Sequence, residues 1–149
     1  ENVEEYMLSR TGHPHIVRLF GSLVVEGRRC LLLDYCGNGS LQNYLATRRT
    51  LPLPVVRRIF LSLLAGVKKM QCQGIVHRDI RPEQVLLGSA MTVKLADLGL
   101  ADECLPNRRF SSFRTPSPYA APEIFESEGC GQAFEDCLRS DVWSVGAIA

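Results

Sequence analysis

Apolar and polar residues follow two rhythms along this chain, and the changes of rhythm divide it into elements. In residues 1–10, Val3, Met7 and Leu8 fall at helical spacing and predict the closing turns of a helix. "TGHPH" breaks that pattern, since Gly and Pro punctuate regular structure. "IVRLFGSLVVEGRRCLLLDY" then predicts two strands joined by a turn at Glu26-Gly27. "CGNGS" reads as a loop, and "SLQNYLATR" as a short helix with Ser40 placed to cap its start. The longest periodic run is "LPLPVVRRIFLSLLAGVKKMQCQG". In it Val55, Val56, Ile59, Phe60, Leu63, Leu64, Val67 and Met70 form one broad apolar stripe. Pro54 suits the first helical position and Gly74 the C-terminal cap. "VLLGSAMTVKLAD" predicts a hairpin turning at Gly88-Ser89. From Leu100 to Ala120 no period is visible, which predicts a long polar loop, and "DVWSVGAIA" restarts a helix. No internal repeat is present.

Composition narrows the class. The 149 residues are 46% hydrophobic and 22% charged, which suits one modest globular domain. A net charge of +1 gives no electrostatic case for nucleic acid or an acidic membrane as partner. Doubled basic residues such as Arg57-Arg58 and Lys68-Lys69 are dispersed and read as solvated faces. Six Cys occur, none in a C-x-x-C pair and with no His at finger spacing, so structural zinc is not expected. The Cys lie mostly in or beside apolar runs and no signal peptide opens the sequence. Reduced thiols in an intracellular protein, cytoplasmic or nuclear, are therefore expected. No apolar run reaches the roughly 18 residues of a membrane span. The sequence starts at Glu1 and ends inside an apolar helical pattern, so it reads as a piece of a longer parent.

One stretch concentrates charge between apolar flanks: "IVHRDIRPEQVLL", from Ile75 to Leu87. Asp79 and Gln84 lie on this connection between a buried helix and a buried strand. Asp97 follows the second strand of the hairpin that Gln84 precedes. A hairpin brings its outer ends together, so Gln84 and Asp97 are expected to be neighbours, with Asp79 lining the same site. Two acids and an amide oxygen are hard ligands suited to Mg²⁺ and phosphate. Each piece alone reads equally well as a polar turn beside unrelated hairpin-end acids.

The ordered series goes further, and it resembles a protein kinase over the whole sequence. "HRDIRPEQ" is similar to the catalytic loop, "DLG" at Asp97–Gly99 to the D-F-G segment, and "APE" at Ala121–Glu123 to A-P-E. "HPHIVRLFG", "CLLLDYCGNGSL" and "SDVWSVGAIA" resemble the strand after the αC helix, the hinge, and the helix that anchors the catalytic loop. The resemblance implies an incomplete α+β kinase-like fold. Residues 1–33 would be the remainder of a small lobe, 34–39 a hinge, and 40–149 the first part of a large lobe. The catalytic loop would span 77–84 and the activation segment 97–123.

By the same resemblance, ATP and Mg²⁺ are the cofactors and a protein the substrate. Asp79 would orient the substrate hydroxyl and accept its proton, and Arg81 would stand where Ser/Thr kinases carry a Lys facing the γ-phosphate. Asp97 and Gln84 would hold metal, with Leu98 and Gly99 completing the D-F-G-like segment. Leu33 would be the gatekeeper, the backbones of Asp34 and Cys36 would bond adenine, Leu86 would floor it, and Ser40 would reach the ribose. Glu4 takes the place of the αC glutamate, with Glu5 one residue off as the alternative. His77 is a packed structural residue, Arg78 the partner of an activation-loop phosphate, and Asp141 a brace for the catalytic loop. Glu123 is the structural acid of A-P-E.

Several positions depart from the family pattern. Gln84 replaces Asn and is one methylene longer. Pro116 replaces the usual Thr before A-P-E, and Asp102 and Glu103 occupy places where many kinases offer a basic residue. Only Lys68, Lys69 and Lys94 are present, none before the hinge, so the phosphate-holding Lys is not in this sequence, and neither is a Gly-rich loop. The 149 residues alone are expected neither to fold stably nor to catalyse. Ser111, Ser112, Thr115 and Ser117, near Arg108, Arg109 and Arg114, are candidate phosphosites, and "FESEGCGQAFEDCLRS" reads as a surface insertion. "RPE" after Arg81's Ile80 neighbour, rather than the "AAR" of tyrosine kinases, favours Ser/Thr substrates. A pseudokinase scaffold is the alternative reading, and a regulatory partner is left open.

Overall fold

The computed structural model describes residues 2–48, 50–104, 117–126 and 134–148, with the backbone alone for 125, 126 and 134–137. Helix α1 spans Val3–Arg10 and begins where the Asn2 side chain accepts the N–H groups of Glu4 and Glu5 at 3.0 and 3.4 Å. Strands β1 (Leu19–Val25) and β2 (Arg28–Leu33) pair antiparallel. Glu26 and Gly27, with φ of 49° and 74°, form the expected two-residue turn, because a left-handed pair matches the twist of the strands it joins.

Helix α2 (Leu41–Thr47) starts at Ser40, whose Oγ accepts the Asn43 N–H at 3.2 Å, as its sequence predicts. Helix α3 (Leu53–Gln71) is the centre of the core. Its buried face, including Ile59, Leu63, Val67 and Met70, packs with Met7, Leu8, Ile16, Leu95 and Val145 from four other parts of the chain. Leu53 is the first helical residue, so Pro54 is the second, where its missing N–H is still harmless. Cys72 caps α3, and Gly74, two residues on, turns left-handed (φ 67°) into β3 (Ile75–Val76).

A 3-10 turn at Pro82–Gln84 leads into β4 (Val85–Leu87), which pairs with β5 (Val93–Leu95). Their connection turns later than expected: the left-handed residues are Ala90 and Met91 (φ 51° and 57°), not Gly88-Ser89. β6 (Asp102–Glu103) pairs with β3 inside the stretch read as one loop. Two acids carry no strand propensity, and only the long-range ladder makes them a strand. α4 (Pro122–Glu126) follows the described part of that segment.

Helix α5 (Phe134–Ile148) begins inside the stretch read as an insertion, well before Asp141. Its early turns are tied down at Leu138, which packs near Val76 and Cys104 and whose carbonyl accepts Gln71 Nε2 at 2.6 Å. Arg108, Arg109, Ser111, Ser112, Arg114, Thr115 and Pro116 lie outside the described residues. Helices and three two-stranded sheets give the α+β class expected, and no sheet closes into a barrel among the described residues. No helix among them is long and apolar enough to cross a membrane.

Candidate active site

The polar turn between β3 and β4 is held from below by a buried acid. Asp141, 1% exposed on α5, accepts the N–H groups of His77 and Arg78 at 2.7 and 3.0 Å. Burial pushes its carboxyl up, against the lowering effect of His77 and of the two N–H donors. The grip matters because Arg78 sits at φ 72°, a left-handed conformation that costs a side-chain-bearing residue about 1–3 kcal/mol.

His77 is fully buried. Its Nε2 lies 2.9 Å from the Ala96 carbonyl, and its Nδ1 accepts the Asp79 N–H at 3.3 Å. A carbonyl only accepts and an amide N–H only donates, so one neutral tautomer, protonated at Nε2, satisfies both. The ring thus fixes the backbone of Asp79 against the segment leading to Asp97.

Across the hairpin the two predicted neighbours meet. Gln84 Nε2 donates to Asp97 Oδ2 at 2.9 Å, and the Gln84 carbonyl accepts the Ala96 N–H at 2.9 Å. Asp97 is left-handed (φ 62°), and its Oδ1 accepts the Gly99 N–H at 3.3 Å. A Cβ on Gly99 would stand 3.1 Å from that oxygen, so the glycine gives the carboxylate room. Leu98 between them is fully buried and anchors the turn in the core. On the other carboxylate, Arg81 Nε lies 3.2 Å from Asp79 Oδ2, an ion pair without hydrogen-bond alignment.

Among the described residues no three His, Cys, Asp or Glu side chains gather closely enough to hold a metal by themselves. The donors at Asp97 and Gln84 nonetheless fit a hard cation that draws its remaining oxygens from water and phosphate. Gln84 is the constraint, because its amide N, not its O, faces Asp97.

Helix α1 separates the two glutamates. The Glu4 carboxyl is raised by its partial burial and by the negative charge of Asp97. Glu5 turns to the β1–β2 hairpin, where the Ser22 hydroxyl and Arg29, both at 2.6 Å, hold its carboxyl below the usual range.

On the opposite side, residues 34–40 are bound mainly through backbone. The Asp34 N–H donates to the Arg18 carbonyl at 3.1 Å, and the Gly39 N–H to the Cys36 carbonyl at 3.1 Å. Among the described residues, no backbone hydrogen bond engages the Asp34 carbonyl or the Cys36 N–H. One acceptor and one donor therefore remain on this edge. Leu33 is half-buried at the end of β2, and Leu86, also half-buried, bridges to Ser40. The Ser40 hydroxyl caps α2 while keeping its own proton to donate. Burial raises the Cys36 thiol, with Lys94 opposing.

Lys94 is a residue that sequence reading passed over. Its Nζ lies 2.8 Å from Asp34 Oδ2 and 3.1 Å from the Pro14 carbonyl, fastening the segment to β5. Strand alternation marks Lys94 as facing away from Val93 and Leu95, but nothing local names its partner. Arg78 also has a partner that sequence did not supply: Asp102, at 3.4 Å. Ser117 uses its Oγ to accept the Tyr119 N–H at 3.3 Å. Glu123, half-buried in α4, makes no ion pair among the described residues.

The protein kinase domain model matches residues 2–149. The chain is 32% identical over 145 residues to the serine/threonine-protein kinase SIK1 of Mus musculus, covering 97% of this chain and 18% of that protein. It is 34% identical over 136 residues to a carbon catabolite-derepressing protein kinase of Secale cereale (91% and 26% covered). To the serine/threonine-protein kinase kin-29 of Caenorhabditis briggsae it is 30% identical over 145 residues (97% and 17%). The chain thus spans between 17% and 26% of the length of these relatives.

Proposed function

The chain belongs to the protein kinase domain family, and from that premise we propose that the full-length protein transfers the γ-phosphoryl group of ATP to Ser or Thr hydroxyls of protein substrates. The observation that carries this reading is the meeting of Gln84 and Asp97 from two separate segments, beside a loop that His77 and Asp141 hold in place under Asp79. Asp79 takes the proton of the substrate hydroxyl, and Arg81 supplies positive charge beside it. Asp97 and the Gln84 amide are the residues that would hold Mg²⁺, which supplies charge neutralisation to the phosphates when bound.

At the other edge, the free Asp34 carbonyl and Cys36 N–H match the donor and acceptor of an adenine edge, with Leu33 and Leu86 flanking the ring and Ser40 reaching the ribose. In this reading residues 1–33 belong to a small lobe, 34–39 to a hinge and 40–149 to a large lobe, with 97–123 as activation segment. Glu4, Arg78, Leu98, Gly99, Glu123 and Asp141 shape the site without touching substrate. "RPE" at Arg81–Glu83 and the serine/threonine kinases among the relatives support the substrate class.

The test is a Mg-ATP phosphorylation assay on the full-length protein. Asp79→Ala is expected to abolish transfer. Gln84→Asn withdraws the amide from Asp97 and is expected to raise the rate about tenfold, worth about 1.4 kcal/mol. A second reading, a nucleotide-binding scaffold, is favoured by one contact: Gln84 Nε2 already occupies Asp97 Oδ2. ATP binding without transfer, in both the parent sequence and Gln84→Asn, would select that reading.

A further inference from the structure

β6 carries two adjacent acids, and successive side chains of a strand point to opposite faces. They therefore serve different elements. Asp102 meets Arg78, on the loop that carries Asp79, at 3.4 Å, and both side chains are largely shielded (24% and 14% exposed). Glu103 accepts from Tyr6 Oη at 3.1 Å and pairs with Arg10, while Arg10 Nη1 donates to Tyr6 Oη at 3.2 Å. Both Tyr6 and Arg10 belong to α1.

The strand that holds these acids is itself fixed. It pairs with β3, and the Cys104 N–H just beyond it donates to the Gly74 carbonyl at 2.6 Å. β3 runs directly into His77 and Arg78. α1, at its other end, carries Glu4, which lies within the electrostatic reach of Asp97. A series of contacts therefore runs from Arg78 through Asp102, β6 and Glu103 to α1, the helix that carries Glu4.

We propose that Asp102 and Glu103 are positioning residues that tie α1 to the loop bearing Asp79, so that carboxylates supplied by the chain itself set the relation of Glu4, Asp97 and Asp79. The proposal rests on the phosphoryl-transfer reading for its effect on rate, but its structural half does not. Arg78 meets a carboxylate already present in the sequence, so the loop's geometry needs no phosphate added to the activation segment. The Arg78–Asp102 pair is partly shielded and so screened less than an exposed pair, while Arg10 and Glu103 are more open to solvent and add the Tyr6 hydroxyl as a shared partner.

The experiment uses phosphatase-treated full-length protein with Asp102→Asn, Glu103→Gln and the conservative Asp102→Glu. Amide hydrogen exchange is the first readout, since it needs no turnover. Asp102→Asn is expected to speed exchange at residues 78–80, and Glu103→Gln at α1, with Asp102→Glu close to the parent. Kinetics are the second: kcat falls by up to about 100-fold in Asp102→Asn while KM for ATP moves little, because misplacement of a reacting group costs rate more than binding. Unchanged exchange at 78–80 in Asp102→Asn overturns the proposal, as does loss of kcat on phosphatase treatment of the parent sequence. A parent that binds ATP but never transfers counts against the kinase reading alone, and exchange then decides the positioning role by itself.

Discussion

Residues 34–40 and residues 77–84 both border the site, yet the first is held mainly by backbone and the second mainly by side chains. In the first, N–H and carbonyl groups pair with Arg18, Gly39 and Leu87, contacts that almost any side chain permits. Tyr35, in the middle, is 93% exposed. In the second, Asp141 and the His77 ring each take a specific donor or acceptor in a place closed to water, and no other residue type offers the same set. A segment held by backbone can vary without moving. A segment held by buried side chains moves if they change, which suits the part that, in the proposed function, must aim Asp79.

The contrast is broken most severely at Asp141. Asp141→Ala leaves two N–H groups buried without acceptors, each costing about 1–3 kcal/mol, and releases the strained Arg78 backbone. Urea unfolding of the full-length protein should show that loss, and transfer should fall with it. A change below about 0.5 kcal/mol would mean that the loop is held by something other than its side chains.

The next effect is smaller and lies in a side-chain tie of the segment held mainly by backbone, the Lys94–Asp34 pair. Burial alone would raise the Asp34 carboxyl, but Lys94 and the Arg18 N–H outweigh it and hold it below its ordinary value. A depressed carboxylate stabilises the fold above its unfolded value, near pH 3.9, and that contribution is lost as pH falls through the lower folded value. Lys94→Met should therefore lower the melting temperature at pH 7, with the difference from the parent narrowing as pH falls below about 4. A constant difference across that range would assign the effect to packing of the lysine stem.

The smallest effect sharpens the comparison from the other side. Tyr35→Ser is expected to change stability by no more than about 0.5 kcal/mol, because the ring is exposed and the backbone makes the contacts. Differential scanning calorimetry gives the value, and a larger loss would show that this segment also depends on its side chains.

These differences track what could be read from sequence. The loop around Asp79 was legible through its resemblance to a kinase catalytic loop, and the hairpin rule was enough to bring Gln84 to Asp97. Ser40 and the Glu26-Gly27 turn were legible because capping and left-handed turns are local chemistry. The choice between Glu4 and Glu5 was left open by one residue of register. In the structure Glu5 bonds the hairpin through Ser22 and Arg29, while the Glu4 carboxyl feels the charge of Asp97.

Sequence by itself determined the elements whose causes lie within a few residues, together with the ordered motifs that mark a kinase domain. Tertiary structure alone decided the rest: that Asp102–Glu103 is a strand, that its acids face Arg78 and α1, that Lys94 holds Asp34, and that α5 begins at Phe134. Each of those depends on partners distant in the chain. Short-range periodicity carries no information about such pairings, since their free energy exists only once the chain has closed on itself.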